Sequence, residues 1–208
     1  MGDNLHSLTL LGAIREGAAE YPYLHLWGEP GSGKTHLLRG LGSAARARYV
    51  DCVGESERAL AWDPNIVTWA VDNVESAPER HQLALFNLIN NVRAEIGSAI
   101  VTASRQAPIQ IQVREDLRTR LGWGVVLQIH ALNDLQAEQA LTAYAHTRGL
   151  ALPPDVGRYL LTRFRRDMPS LIALIDALDV YALERQRLVT LPLVREWLQE
   201  DEITRHAS

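Results

Sequence analysis

Five short apolar runs punctuate the first two thirds of the chain: Tyr23–Trp27, Tyr49–Val53, Ile66–Val71, Ala99–Ala103 and Val125–Ile129. Each has strand length, most carry β-branched residues, and helical or turn-rich stretches separate them. Between the third and fourth runs, Leu85, Ile89, Val92 and Ile96 recur at three- and four-residue steps, the stripe of an amphipathic helix. Near the start, Leu8, Leu11 and Arg15 keep helical spacing, so Ser7–Leu11 is read as part of a first helix. The alternation predicts an α/β domain: a five-stranded, mostly parallel sheet with helices on both faces. Ligands of such sheets sit beyond the carboxyl ends of the strands.

After Ile129 the pattern changes. A helix capped by Asn133 or Asp134 and closed by Gly149 is followed by three more stretches of helical period, with no further strand. The boundary falls near Ala131, which gives an α/β domain over residues 1–131 and a small all-helical domain over 132–208.

Composition narrows the options. The chain has 208 residues, 47% of them hydrophobic, ample for a core. No apolar run approaches the ~18 residues of a membrane span, and the start at Met1–Gly17 lacks the cationic opening of a secretory signal. Cys52 is the single cysteine, which excludes an internal disulfide and a cysteine-rich metal site and favours the cytoplasm. A net charge of −4 argues against a nonspecific DNA binder.

Chemistry enters with GEPGSGKT, Gly28 to Thr35, which fits G-x-x-x-x-G-K-[ST] at every fixed position and stands between a strand and a helix. Gly31 and Gly33 let backbone N–H groups turn inward around phosphates at the positive end of a helix. Lys34 reaches the β- and γ-phosphates, and Thr35 supplies its hydroxyl to Mg²⁺. The candidate cofactor contacts are therefore Gly28, Glu29, Pro30, Gly31, Ser32, Gly33, Lys34, Thr35 and His36, holding a nucleotide. Asp72, at the end of Ile66–Val71, suits the second Mg²⁺ ligand; a turn aspartate capping the next segment is the alternative. Asn73 follows it, and a neutral amide can orient a water but not take its proton. Glu75 stands two residues further, where turn geometry need not aim it at a phosphate. Weak intrinsic hydrolysis is expected. Arg114, Arg118 and Arg120 precede the fifth run. From composition alone a solvated basic turn is the better reading of them, although an arginine at such an edge also suits transfer-state stabilisation in a neighbouring site. Trp123, between two glycines, reads as a packing residue.

In their order, GEPGSGKTH, VDNVE, TASRQAP and LRTRLGWG resemble the AAA+ module of the bacterial replication initiator DnaA. The continuation from Leu152 to Leu198 is similar to the Hda family, the smaller DnaA relatives that inactivate the initiator. No helix-turn-helix domain follows the helical segments, which favours the Hda side and no sequence-specific DNA binding. The resemblance implies Walker A at Lys34 and Thr35, Walker B at Asp72, a polar sensor 1 at Ser104 and an arginine finger at Arg120. It also implies that the nucleotide is ADP or ATP and that Arg120 acts on ATP held by DnaA, with the sliding clamp as a second partner, while homo-oligomerisation stays open. Two departures stand out. The sensor 2 position falls on Pro169, with Arg165 and Arg166 as weaker substitutes. The Gln- and Leu-rich clamp peptide of Hda-type proteins has no match, since Ser7–Leu11 lacks its glutamine. The alternatives to a regulator are a self-sufficient AAA+ ATPase of helicase-loader or transposition-helper type, and a DnaA paralogue that recruits another protein.

Overall fold

The computed structural model describes residues 4–18, 20–164 and 168–206, with only the backbone at residues 169 and 201–206. It divides into two compact units between Ala131 and Leu132. In the first, strands β1 (Tyr23–Trp27), β2 (Ala47–Asp51), β3 (Thr68–Asp72), β4 (Ala99–Ser104) and β5 (Val125–Gln128) form one sheet in the order β2-β3-β4-β1-β5. Every pairing in it is parallel. Helices α1 (Leu5–Arg15), α2 (Lys34–Gly42), α3 (Glu79–Ala94) and α4 (Glu115–Leu121) complete the unit.

The pleat sorts the strand residues. Trp69 and Val71 of β3 and Ile100 of β4 join one core with Leu85, Leu88, Ile89 and Val92 of α3 and Leu117 of α4. Ala70, Val101, Ala103, Leu24 and Leu26 face the other way, with Leu11 and Ile14 of α1 and Leu38 and Leu41 of α2. Side chains of alternate residues leave opposite faces of a strand, so both faces are apolar and both are covered. The α/β architecture with a parallel sheet is as the sequence predicts.

Several boundaries differ from the apolar runs. β2 begins two residues before Tyr49 and ends at Asp51, and β3 begins at Thr68 and includes Asp72. A parallel ladder is set by backbone pairing, and polar termini join it when the neighbour is in register, as Asp51 is with Asp72. The stripe through α3 also needs correction. The helix ends at Ala94, the chain turns through Gly97 at φ +85°, and Ile96 is fully exposed. Leu88 and His81 fill the buried face instead. In α1 the buried side is Ser7, Leu11 and Ile14, with Leu8 left exposed.

The second unit is helical: α5 (Asp134–Thr147), α6 (Pro154–Arg163), α7 (Met168–Glu184) and α8 (Leu191–His206). Asn133 caps α5 in a reciprocal box with Gln136, each side chain bonding the other's backbone N–H. Leu141, Leu160, Leu171, Ile175 and Leu193 are wholly buried in its core. Pro169 lies in the first turn of α7, where a proline forfeits no helical hydrogen bond. Asp167, Arg165 and Arg166 lie outside the described residues. Among the described residues, no helix is long and apolar enough to cross a membrane.

Two glycines of the turn before β5 behave oppositely. A Cβ on Gly124 would collide with the Tyr23 carbonyl and side chain, whereas at Gly122 its nearest neighbour would be 3.7 Å away. Gly124→Ala should therefore lower stability by about 2 kcal/mol or more, and Gly122→Ala should leave it nearly unchanged, both read as thermal-melt midpoints.

Candidate functional site

Because all five strands run the same way, their carboxyl ends share one edge of the sheet. β1 ends at Trp27, in register with Ser104 at the end of β4, and the chain then enters the glycine-rich loop. Gly28, Gly31 and Gly33 have φ of 156°, 82° and 100°. The last two are left-handed values that only glycine adopts without strain. At Gly28 a side chain would also strike the Ile129 carbonyl. The turn delivers α2 with Gly33 at its N-cap and no side chain bonding its first turn. An uncapped, positively polarised N-terminus beneath a concave backbone accepts an anion.

Lys34 opens α2 and is 8% exposed. Its ammonium donates to Gly28 O at 2.6 Å, Glu29 O at 3.0 Å and Ser32 Oγ at 3.1 Å, folding back on its own loop. Burial pushes its pKa down, and the carboxylates of Asp72 and Glu75 push it back up. A buried ammonium with lowered pKa favours a further anion beside it. Asp72 is buried, and its oxygens accept from Tyr49 Oη at 3.2 Å and from the N–H of Asn73 at 2.9 Å. Each oxygen keeps a lone pair. Burial and the charge of Asp72 together raise the Tyr49 phenol to about 12, so it stays a donor. Uncapped N-terminus, lysine and carboxylate fit a phosphate with a divalent cation.

Asn73 adopts φ 55°, ψ 40°, a left-handed conformation that asparagine tolerates better than most residues. Its Nδ2 donates to Asp51 Oδ1 at 2.9 Å, so that donor is committed to the end of β2. The left-handed turn leads into a short 3-10 segment, Val74–Ser76, that turns Glu75 inward. The Glu75 side chain is 15% exposed, and Arg105 Nε lies 3.3 Å from its Oε1. Neither carboxylate oxygen makes a hydrogen bond, so the Arg105 contact is one of charge alone.

Ser104 is 1% exposed and belongs to a polar chain inside the sheet. Its hydroxyl donates to Gln106 O at 2.5 Å, so its oxygen is left to accept from His25 Nε2 at 2.8 Å. The proton is thereby assigned to Nε2, and Nδ1 accepts from Thr102 Oγ1 at 2.8 Å. His25 sits mid-strand in β1 and is buried. Nothing in the hydrophobic pattern of Tyr23–Trp27 singled it out, because its partners lie almost eighty residues away.

Arg120 is placed differently. It sits in the last turn of α4, with its Cζ 3.4 Å from the Trp123 ring centroid and 5.4 Å from that of Phe86. Arg114, by contrast, is spent on Asp116 through two bonds of 3.1 and 2.9 Å. The structure thus gathers Gly28–Lys34, Asp72, Glu75 and Ser104 at the carboxyl edge of the sheet and holds Arg120 on α4. A cavity of about 520 Å³ opens at the other edge, beside the starts of β1, β3 and β4 at Tyr23, Thr68 and Ala99, away from all of these residues.

Comparison with known proteins bears on the fold and on the helical unit. An uncharacterised protein of Haemophilus influenzae is 31% identical over 210 residues, covering 95% of this chain and 90% of its own. Domain III of the Thermotoga maritima replication initiation protein DnaA has the same fold, with a TM-score of 0.77 at 18% identity over 96% of this chain and 92% of its own. AMPPCP-bound DnaA from Aquifex aeolicus gives 0.68 at 20% identity, over 88% of this chain and 63% of that one. A family model described as "Hda, lid domain" matches residues 134–198. The chain belongs to one family with the Haemophilus influenzae protein, its second unit matches the Hda lid, and its fold is that of the DnaA domain. The matched lid spans α5 to α7 and the first half of α8, within the helical unit with its own core.

The buried imidazole generates a prediction. Burial pushes the pKa of His25 down to about 4, against ~6.5 in an unfolded chain. Between those values the unfolded state binds the extra proton, so this contribution is complete above about pH 6.5 and drains as pH falls towards 4. The loss should reach about 3 kcal/mol. It should be visible in denaturant melts across that window and be absent from the His25→Gln variant.

Proposed function

We propose that this chain is a nucleotide-holding regulator of chromosomal replication initiation, which promotes hydrolysis of DnaA-bound ATP in trans and so inactivates the initiator. The observation that carries the reading is the state of Arg120. Its guanidinium is half-buried on α4, and no carboxylate or other hydrogen-bond acceptor among the described residues engages it. Such a group can neutralise the charge that builds on a transferring phosphoryl group in a neighbouring site.

The chain's own loop serves a different end. The N–H groups of Gly28–Lys34, the Lys34 ammonium, the Thr35 hydroxyl and the Asp72 carboxylate would hold ADP or ATP with Mg²⁺, and Ser104 would sense the nucleotide from β4. Bound there, the phosphates would face the loop N–H groups and Lys34, and the Mg²⁺ would face Asp72, each group meeting the opposite charge. DnaA structures of this fold solved with AMPPCP support a nucleotide here. Cytoplasmic location and work beside the sliding clamp belong to the same reading.

Arg120→Ala should leave nucleotide affinity within about twofold of the parent. Its stimulation of ATP hydrolysis by DnaA should fall by roughly a thousandfold. Stimulation that survives the substitution would rule the reading out.

Glu75 favours a second reading, a self-sufficient ATPase. A buried carboxylate with both oxygens free of hydrogen bonds is an acceptor suited to a water's proton. Under that reading the purified protein turns over ATP by itself and Glu75→Gln removes the turnover. Under the regulator reading the purified protein is slow with either residue.

A further inference from the structure

Trp123 is 39% exposed, too open for a core residue. Its indole instead carries two cations. Arg120 Cζ lies 3.4 Å from the ring centroid and Arg93 Cζ lies 4.4 Å from it. Arg120 comes from the last turn of α4 and Arg93 from the last turn of α3, so one ring joins the ends of two helices. Among the described residues, neither guanidinium forms an ion pair or a hydrogen bond.

How an arginine is held decides what it can still do. Its five N–H donors lie in the guanidinium plane. Pairing with a carboxylate consumes that edge, as Asp116 consumes the edge of Arg114. Stacking on an aromatic face restrains the side chain and consumes none of the donors. The backbone holds the ring in turn: Gly124, next in sequence, lies so close to Tyr23 of β1 that no side chain fits there. The ring is therefore anchored to the sheet through its own chain.

We propose that Trp123 is the positioning residue for Arg120, carrying its guanidinium by the face so that the N–H edge is open to a phosphoryl anion held by a second protein. This rests on the reading that Arg120 acts in trans, and Trp123 acts only through Arg120.

The full chain labelled with 5-fluorotryptophan has five tryptophan positions to observe by ¹⁹F NMR, and Trp123→Phe assigns the relevant resonance. Arg120→Gln should move that resonance and leave the other four in place; an unmoved resonance overturns the stack, whatever the partner does. The second arm measures hydrolysis by DnaA loaded with ATP. Trp123→Ala should lower the maximal stimulated rate about tenfold, with the half-saturating concentration within about twofold, and Trp123→Phe should recover most of the rate. Equal loss in both variants, or a change confined to half-saturation, overturns the positioning role. If Arg120→Ala stimulates hydrolysis by DnaA at the parental rate, the trans reading fails and takes the phosphoryl target with it. The resonance result would still stand as a separate finding.

Discussion

Strand β1 lies between β4 and β5, parallel to both and wholly inside the sheet. Everything chemical in the first unit depends on that placement. A parallel strand flanked on both sides brings its carboxyl end to the same edge as its neighbours', and here that edge receives the glycine-rich loop, Ser104 and Asp72. The site is thus a by-product of direction: reverse one strand and its polar terminus would move to the far edge, beside Tyr23 and Ala99. The sheet also carries polar groups through its middle. Thr102, His25, Ser104 and the Gln106 carbonyl form a line in which each hydroxyl and ring nitrogen has a partner. A satisfied buried network of this kind fixes rotamers, whereas a partly satisfied one costs stability. Ser104 is consequently held in one orientation at the end of β4.

Around that edge, the acidic residues are engaged in different ways. Asp72 accepts two hydrogen bonds, Asp51 ties down Asn73, and Glu75 accepts none. The turn after β3 separates these roles. A left-handed residue followed by a single 3-10 turn rotates the chain enough for Asn73 to look toward β2 while Glu75 folds inward. Cys52 sits nearby and is buried; burial and the neighbouring carboxylates raise its thiol to about 12, so it contributes packing rather than reactivity.

Much of this was legible in the chain itself, and the reasons for the rest are physical. Apolar runs mark strands well when both faces are covered, which is why the five were found and why the parallel sheet followed. Their ends were less clear, because backbone pairing admits polar residues such as Asp51 and Asp72 that hydropathy excludes. Ile96 continued the period of α3, but a helix stops where its backbone turns, and Gly97 turns it. The loop motif was fully readable, since its spacing is itself the geometry. The inward aim of Glu75 was not, because it depends on Asn73 adopting a left-handed conformation. Trp123 looked like packing because cation–π partners leave no periodic trace: Arg93 is thirty residues upstream. His25 was hidden for the same reason, its meaning residing wholly in Thr102 and Ser104.

The pairing of Arg93 and Arg120 over one ring has an effect at long range. Two positive charges without an ion-pair partner among the described residues stand together on a chain whose net charge is −4. They form a local cationic spot on a chain of net negative charge. An anionic surface that approaches with this spot forward is attracted to it before any contact forms. That attraction reaches only about a Debye length, ~8 Å at physiological ionic strength. Added salt would slow association through this face while leaving the short-range stack that shapes it intact.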